Sequence, residues 1–275
     1  MTATPLHEFL KSRAEGDLLP WRAQCDAARH FGKSLGQIEV AALGWDLLPG
    51  RYRRNRATVS TSDQLRLCRS RVAVIGCGGL GGYLIEQLAR LGVGALVVVD
   101  PDVFEEHNLN RQLLSSPAQL GSAKVEVAKE RVATVNPAVE VVAHRVAFSR
   151  ANGRELLRGC AVVLDGLDSV LVRRELAASC AELEIPLVHG AIAGWYGQVA
   201  LQLPGGDLSP LLRASSASGK GIETKLGNPS FTPAVVASLQ VAEAAKVLLG
   251  RATSLARRAL LVNLLDMQFD EVRHG

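Results

Sequence analysis

The run Gly76-Cys77-Gly78-Gly79-Leu80-Gly81 stands between an apolar stretch and a segment of helical periodicity. Glycines at such a junction let the backbone approach a phosphate, and the N-terminus of the following helix offers amide donors. Asp100 closes the next apolar stretch about 20 residues further on, where an acid can hold a ribose hydroxyl. These two features serve NAD as well as ATP. Four further groups follow: Asp102, then Asn108-Leu109-Asn110-Arg111-Gln112, then Gly121-x-x-Lys124, then Asp165-Gly166-Leu167-Asp168. Singly, each has a bland reading, with Lys124 starting a solvated helix and Asp168 capping a helix at Val170. Together they place two cations, Arg111 and Lys124, and the carboxylate of Asp168 near the C-terminal ends of strands, the edge at which open α/β sheets bind ligands. Hydride transfer has no need of that set. A triphosphate with a metal does, since cations neutralise the phosphate chain and a carboxylate holds the metal.

The surrounding pattern shows what must position these groups. Apolar runs at 71–75, 95–100, 139–143, 161–165 and 186–189 predict strands. Segments at 83–91, 124–135, 170–182 and 233–249 predict helices. Strands that read as continuous apolar runs are covered on both sides. The fold class is therefore α/β, a Rossmann-like, mostly parallel sheet with helices on both faces. Residues 198–203 alternate and predict a strand with one polar face, and 259–266 predict a late strand; these form a C-terminal, partly antiparallel extension of the sheet. Residues 205–228 are rich in Gly, Ser and Pro and read as a long mobile loop.

Two domains are expected: residues 1–50 as an N-terminal helical extension and 51–275 as the ligand-binding domain. In the extension, helices are predicted at 20–31 and 35–45, with Ser34 as N-cap of the second and Pro49-Gly50 as the stop. The run Arg29-His30-Phe31-Gly32-Lys33-Ser34 leaves two readings, a helix-turn-helix or an extension packed on its neighbours. The second helix carries Ile38, Val40 and Leu43 but no Arg or Lys for phosphates, which favours packing. The basic cluster at 51–56 reads as a solvated linker.

Composition sets the remaining bounds. The 275 residues hold 31 Lys+Arg against 27 Asp+Glu, a net +4, with 48% apolar and 21% charged residues. Those values exclude a disordered chain, and the length is ample for a core. A small charge spread along the chain is weak ground for a nucleic-acid partner. No apolar run reaches the roughly 18 residues of a membrane span, and no apolar stretch opens the chain as a signal peptide would, so a cytoplasmic setting is expected. The five cysteines are widely spaced and form no Cys-x-x-Cys pair, the pattern of neither a zinc site nor a disulfide framework. Cys180 falls on a predicted helix and reads as core.

Taken in order, these motifs resemble the ThiF/MoeB/HesA family, bacterial relatives of ubiquitin-activating enzymes, over residues 51–270. The family adenylates the C-terminal glycine carboxylate of a small ubiquitin-like sulfur-carrier protein ending in Gly-Gly and releases pyrophosphate. The resemblance implies ATP and magnesium as cofactors. Gly76, Gly78, Gly79 and Gly81 would form the phosphate turn, and Asp100 would hold the ribose with Asp102 beside it. Asn108, Arg111 and Lys124 would contact the phosphates, and Asp168 would bind magnesium. Arg51-Tyr52-Arg53-Arg54 resembles the family's Arg-Tyr-x-Arg, whose last arginine reaches the neighbouring subunit's ATP site; Arg54 would be that group, and a homodimer is implied. The sequence departs from many members in lacking zinc cysteines, a cysteine within 205–228, and an Asn at Ser169. The pathway served would be molybdopterin, tungstopterin or thiamine biosynthesis. Alternatives are a relative that activates a carboxylate on a modified tRNA adenosine, a non-catalytic binder, and, on the glycine turn and Asp100 alone, an NAD-dependent oxidoreductase.

Overall fold

The computed structural model describes residues 4–214 and 226–273. One sheet of eight strands organises them. Its five parallel strands are β3 (Arg71–Ile75), β4 (Ala95–Val99), β5 (Glu140–His144), β6 (Val162–Asp165) and β7 (Leu187–Ala193). Antiparallel β8 (Tyr196–Gln202), β9 (Arg258–Asn263) and β10 (Gln268–Arg273) extend it, giving the order β10-β9-β8-β7-β6-β3-β4-β5. The expected α/β class with its antiparallel extension is what folds. A separate pair, β1 (Leu18–Leu19) and β2 (Leu48–Pro49), lies in the N-terminal segment.

Alternation in β3 and β4 builds two cores. Val72, Val74, Leu96 and Val98 face α5 (Gly79–Leu91), α6 (Lys124–Val135) and α10 (Phe231–Leu248). Ala73, Ile75, Val97 and Val99 face α7 (Arg150–Leu156), α8 (Val170–Glu182) and α9 (Ser209–Ala214). Cys180 is fully buried in the second core, and burial pushes its thiol up to about 12, which makes it a packing residue. Helix α10 is apolar and long enough, by composition alone, to cross a membrane. It packs instead on α5, β7 and β8.

The structure corrects several expectations. Helix α5 begins at Gly79 rather than at residue 83, so the second half of the glycine run forms the first helical turn. Strand β8 has no fully polar face: Gln202 is buried, donating to the Ala177 carbonyl and accepting from Leu208 N–H, because α9 covers that side. Part of the predicted 205–228 loop is thus α9, which buries Leu212 beside Leu208 just before it, while residues 215–225 of that prediction lie outside the described residues. Helices α4 (Thr61–Arg69) and α7 and strand β10 were not predicted, although Ser60-x-x-Asp63 and Ser149-x-x-Asn152 are legible capping boxes.

In the N-terminal segment α1 (Pro5–Lys11), α2 (Trp21–Phe31) and α3 (Leu35–Leu43) surround Leu10, Leu19, Ala27 and Ile38. Ser34 caps α3 with Gln37 as its partner in a capping box. Helix α3 packs on α4 and buries Ile38, Glu39, Ala42 and Leu43, so it is no exposed recognition helix. The cluster at 51–56, expected as a solvated linker, lies mostly in a 3-10 helix (Gly50–Asn55) with Tyr52 wholly buried.

One ion-pair cluster ties α5 to α6. Glu86 is 7% exposed and accepts from Arg90 Nε and from Arg131 Nε, each at 2.8 Å. Burial alone would raise its carboxyl, but these guanidiniums outweigh burial and hold it below the usual range. A depressed carboxylate contributes stability above its unfolded pKa and loses it as pH falls through the folded value. Glu86→Gln should therefore lower the melting temperature by about 2–4 °C at pH 7. The gap should begin to narrow as pH falls below about 4 and close as it falls through the depressed folded value; a gap independent of pH would refute the ionic account.

Candidate active site

Strand β3 is the point from which the chain runs to β4 and β5 on one side and to β6 and β7 on the other. Loops leaving the C-terminal ends of β3, β4 and β6 diverge there and leave a crevice, as the topology of open α/β sheets requires. A cavity of about 280 Å³ fills it, lined by Gly76, Gly78, Gly79, Asp100, Asp102, Arg111, Lys124 and Asp168 among others. Of the residues singled out from sequence, these eight are brought together. Gly81, Asn108 and Arg54 are not among the lining residues.

The three outliers have distinct places. Gly81 sits behind the turn; a Cβ there would come within 1.8 Å of the Gly76 carbonyl oxygen, so it is a packing glycine that lets α5 close onto β3. Asn108 is 3% exposed, and its side-chain oxygen accepts from Glu105 N–H at 2.9 Å, shaping the loop that carries Arg111. Arg54 is exposed on the 3-10 helix, away from its own chain's cavity.

Within the cavity the charges are coupled. Asp100 accepts from Cys77 N–H at 2.6 Å through one oxygen and from Asp102 N–H at 2.8 Å through the other, fastening the glycine turn to the end of β4. Lys124, the first residue of α6 and 6% exposed, lies 3.1 Å from Asp102. Arg111 donates to the His107 carbonyl and to Asn110, each at 2.9 Å. Burial pulls its guanidinium below the ordinary value, and the Asp168 carboxylate opposes that shift. Gln112 and Asn228 also line the cavity, and each has a buried side-chain oxygen without a partner. Native buried polar atoms are nearly always paired, so a bound ligand is a natural partner for these.

Asp168 is exposed, and α8 is capped by Ser169 rather than by it. A buried cluster fixes its loop from below. Asp165 accepts from Leu167 N–H at 2.9 Å, His189 Nδ1 lies 2.7 Å from its other oxygen, and Arg173 lies 3.6 Å from that same oxygen. Arg173 also donates to the Leu167 carbonyl. Sequence reasoning quoted Asp165 and Gln112 without giving them roles, and missed Arg173 and His189. Arg173 was the findable one, five residues after Asp168 on the same helix start.

The cavity is therefore lined by a phosphate-sized backbone turn, by the cations Arg111, Lys124 and Arg173 and by the carboxylates Asp100, Asp102 and Asp168, with Arg173 turned to Asp165 beneath. Among the described residues no cluster of three or more His, Cys, Asp or Glu could cage a metal. A lone carboxylate beside a phosphate turn suits magnesium, which takes one or two carboxylates plus substrate oxygens.

Comparison with known proteins places this arrangement in context. The ThiF family profile matches residues 52–275. The chain is 37% identical over 216 residues to the SAMP-activating enzyme E1 of Haloferax volcanii, spanning 78% of this chain and 80% of that protein. It is 36% identical over 219 residues to the sulfur carrier protein adenylyltransferase of Thermus thermophilus, spanning 77% and 81%. With the molybdopterin-synthase adenylyltransferase of Escherichia coli it shares 33% over 207 residues, spanning 74% and 83%. Among solved structures, E. coli MccB with ATP has a TM-score of 0.69 at 18% identity, over 82% of this chain and 71% of that one. PaaA has 0.66 at 22%, over 81% and 72%. At those identities the two structures speak to the fold alone.

Proposed function

The chain belongs to the ThiF family, and from that premise we propose that it is an ATP-dependent adenylyltransferase. Its substrate in this reading is the C-terminal glycine carboxylate of a ubiquitin-like sulfur-carrier protein. Residues 51–275 form the adenylation domain and residues 1–50 an accessory segment. The observation that carries the proposal is the single cavity uniting the glycine turn with Arg111, Lys124 and Asp168 at the switch point of the sheet.

The chemistry follows from charge. The carrier carboxylate attacks the α-phosphorus, a carboxyl–phosphate bond forms, the bond to the β-phosphate breaks, and pyrophosphate leaves with the electron pair. Both reactants are anions, so positioning and neutralisation must lower the barrier, and no protein nucleophile is required. Gly78 and Gly79 present backbone to the phosphates. Lys124 exchanges Asp102 for phosphate, and Arg111 supports the developing charge. Asp102 and Asp100 flank the ribose. Asp168 would hold magnesium, which neutralises phosphate oxygens when bound. The three cations of the cavity are already matched by three carboxylates, so a bound triphosphate leaves excess negative charge. Magnesium held by Asp168 would offset two of those charges, and Arg54 from a second subunit of a homodimer offsets one more.

A carrier protein is favoured over RNA by the surface beside the cavity. Trp195, Tyr196 and Phe231 are exposed, with the Trp195 and Phe231 rings 4.5 Å apart. Gly194 N–H bonds the Gly227 carbonyl next to cavity-lining Asn228, so the aromatic patch adjoins the site. An apolar patch suits a folded protein, whereas RNA calls for a basic face. The expected result is ATP–pyrophosphate exchange that depends on a small carrier ending in Gly-Gly and is lost when its last glycine is removed. Nucleotide binding without exchange for any carrier of the molybdopterin or thiamine class would defeat the carrier reading, and exchange driven by tRNA would replace it.

A further inference from the structure

The four arginines of the 51–56 turn are not equivalent. The outer two are held by carboxylates of the N-terminal segment: Arg51 Nε lies 3.3 Å from Glu39, and Arg56 lies 2.7 Å from Asp17. Arg53 and Arg54, between them, are exposed and have no ion pair among the described residues. The Arg56 pair is on the surface and contributes little by itself. The Arg51 pair is different in kind, because Glu39 is 1% exposed.

Glu39 is the first member of a buried chain of contacts. Tyr52 Oη donates to Glu39 Oε2 at 2.9 Å and accepts from Asn136 Nδ2 at 3.0 Å. Asn136 also donates to the Ala89 carbonyl at 2.9 Å, which ties the chain to α5. Little slack remains around it: Gly92 sits so close that a Cβ there would meet the Tyr52 hydroxyl at 2.5 Å. Arg51 is further fixed over the Trp21 ring at 4.8 Å. Burial raises the Glu39 carboxyl, and the Arg51 guanidinium counters it. A carboxylate placed there is costly unless it is paired, and removing one partner of such a pair disturbs the other.

We propose that residues 1–50 act as a holder for the arginine turn, with Glu39 the positioning residue that fixes where Arg54 is presented. The proposal rests on the reading of Arg54 as a cation delivered to a second subunit. An arginine offered across an interface works best when its backbone is already ordered, because ordering a loose turn at each encounter costs entropy and misplaces the charge. Glu39 lies outside the family-matched residues 52–275, in the segment the family motifs leave without a role.

Glu39→Gln keeps the size and a hydrogen-bonding group for Tyr52 while removing the charge that faces Arg51. In carrier-dependent exchange its kcat should fall about tenfold with KM for ATP changed less than about twofold. In an Arg54→Ala background the same change should lower the rate by less than about twofold, since the group being positioned is gone. A full rate in Glu39→Gln, or losses that simply multiply in the double variant, overturns the proposal and leaves the Arg54 reading standing. A full rate in Arg54→Ala overturns both. A second measurement needs no activity: trypsin should cut after Arg53 or Arg54 about fivefold faster in Glu39→Gln than in the unmodified free protein, and equal cutting rates overturn the holder. Should Glu39→Gln fail to fold, Tyr52→Phe removes one hydroxyl from the same chain of contacts and should show both responses in smaller measure, with wild-type behaviour again overturning the proposal.

Discussion

Asp168→Ala should abolish carrier-dependent exchange, by about a thousandfold or more, while leaving the protein folded. The two halves of this expectation have separate grounds. Stability should be spared because Asp168 is exposed and Ser169, not Asp168, caps α8. Asp165, His189 and Arg173 hold the loop from beneath and remain intact. A surface carboxylate in that setting contributes within about 0.5 kcal/mol. Activity should be lost because no other carboxylate in the cavity is placed to take over: Asp100 is tied to two backbone amides, and Asp102, released when Lys124 turns to the phosphates, flanks the ribose in the proposed reading. Asp168→Asn, which keeps the shape and drops the charge, should be nearly as inactive. The variant also tests the dimer. Arg54→Ala should be severely impaired on its own, and mixing it with Asp168→Ala should restore about a quarter of the wild-type rate, since half the dimers carry one complete site. Normal exchange by Asp168→Ala would falsify the site assignment; failure to rescue would leave Asp168 in place but deny Arg54 its role across the dimer.

Gly81→Ala and Gly78→Ala should fail in different ways, although both change one glycine of the same turn. At Gly81 the added methyl would stand 1.8 Å from the Gly76 carbonyl oxygen, and that atom is backbone at the end of β3. Neither β3 nor α5 can yield, since β3 is buried between the two cores and α5 is packed against the sheet, α6 and α10. The expected loss is about 3 kcal/mol or more, read as a fall in denaturation midpoint or as insoluble protein. At Gly78 the methyl would meet Gln112 at 3.6 Å, an ordinary contact with a flexible side chain, and the backbone, at φ −82° and ψ −139°, needs only a local adjustment of ψ to accept it. Gly78→Ala should therefore lose far less stability than Gly81→Ala, about 1 kcal/mol. It should lose about tenfold in ATP affinity by calorimetry, because the methyl occupies space the phosphates need. Equal destabilisation of the two variants would contradict this division between a packing glycine and a ligand glycine.

Much of this molecule can be read along the chain because its causes are local or periodic. Apolar runs such as Val72–Ile75 and Leu96–Val99 determine buried strands, and the glycine turn with Asp100 determines a nucleotide-type site at one sheet edge. The ordered set Arg111, Lys124 and Asp168 separates that site from a dinucleotide one. Where strand and helix boundaries slipped, the competing cause was nearby but weak, as with the glycines that open α5 against their own helix propensity. What could not be read is which side chain meets which. Asp100 fastens the turn, Asn108 props the loop behind the cavity, Asp165 gathers His189 and Arg173 beneath Asp168, and Glu39 reaches Arg51 and Tyr52 from another helix. Each of these pairings joins residues whose neighbourhood is set by how helices and strands stack, and a buried charge takes whatever partner packing brings within a few ångströms. Sequence alone determined the fold class, the edge at which the site forms and the charged groups that populate it. Packing assigned those groups to contact or to support, because desolvation and pairing exist only once the chain has closed around them.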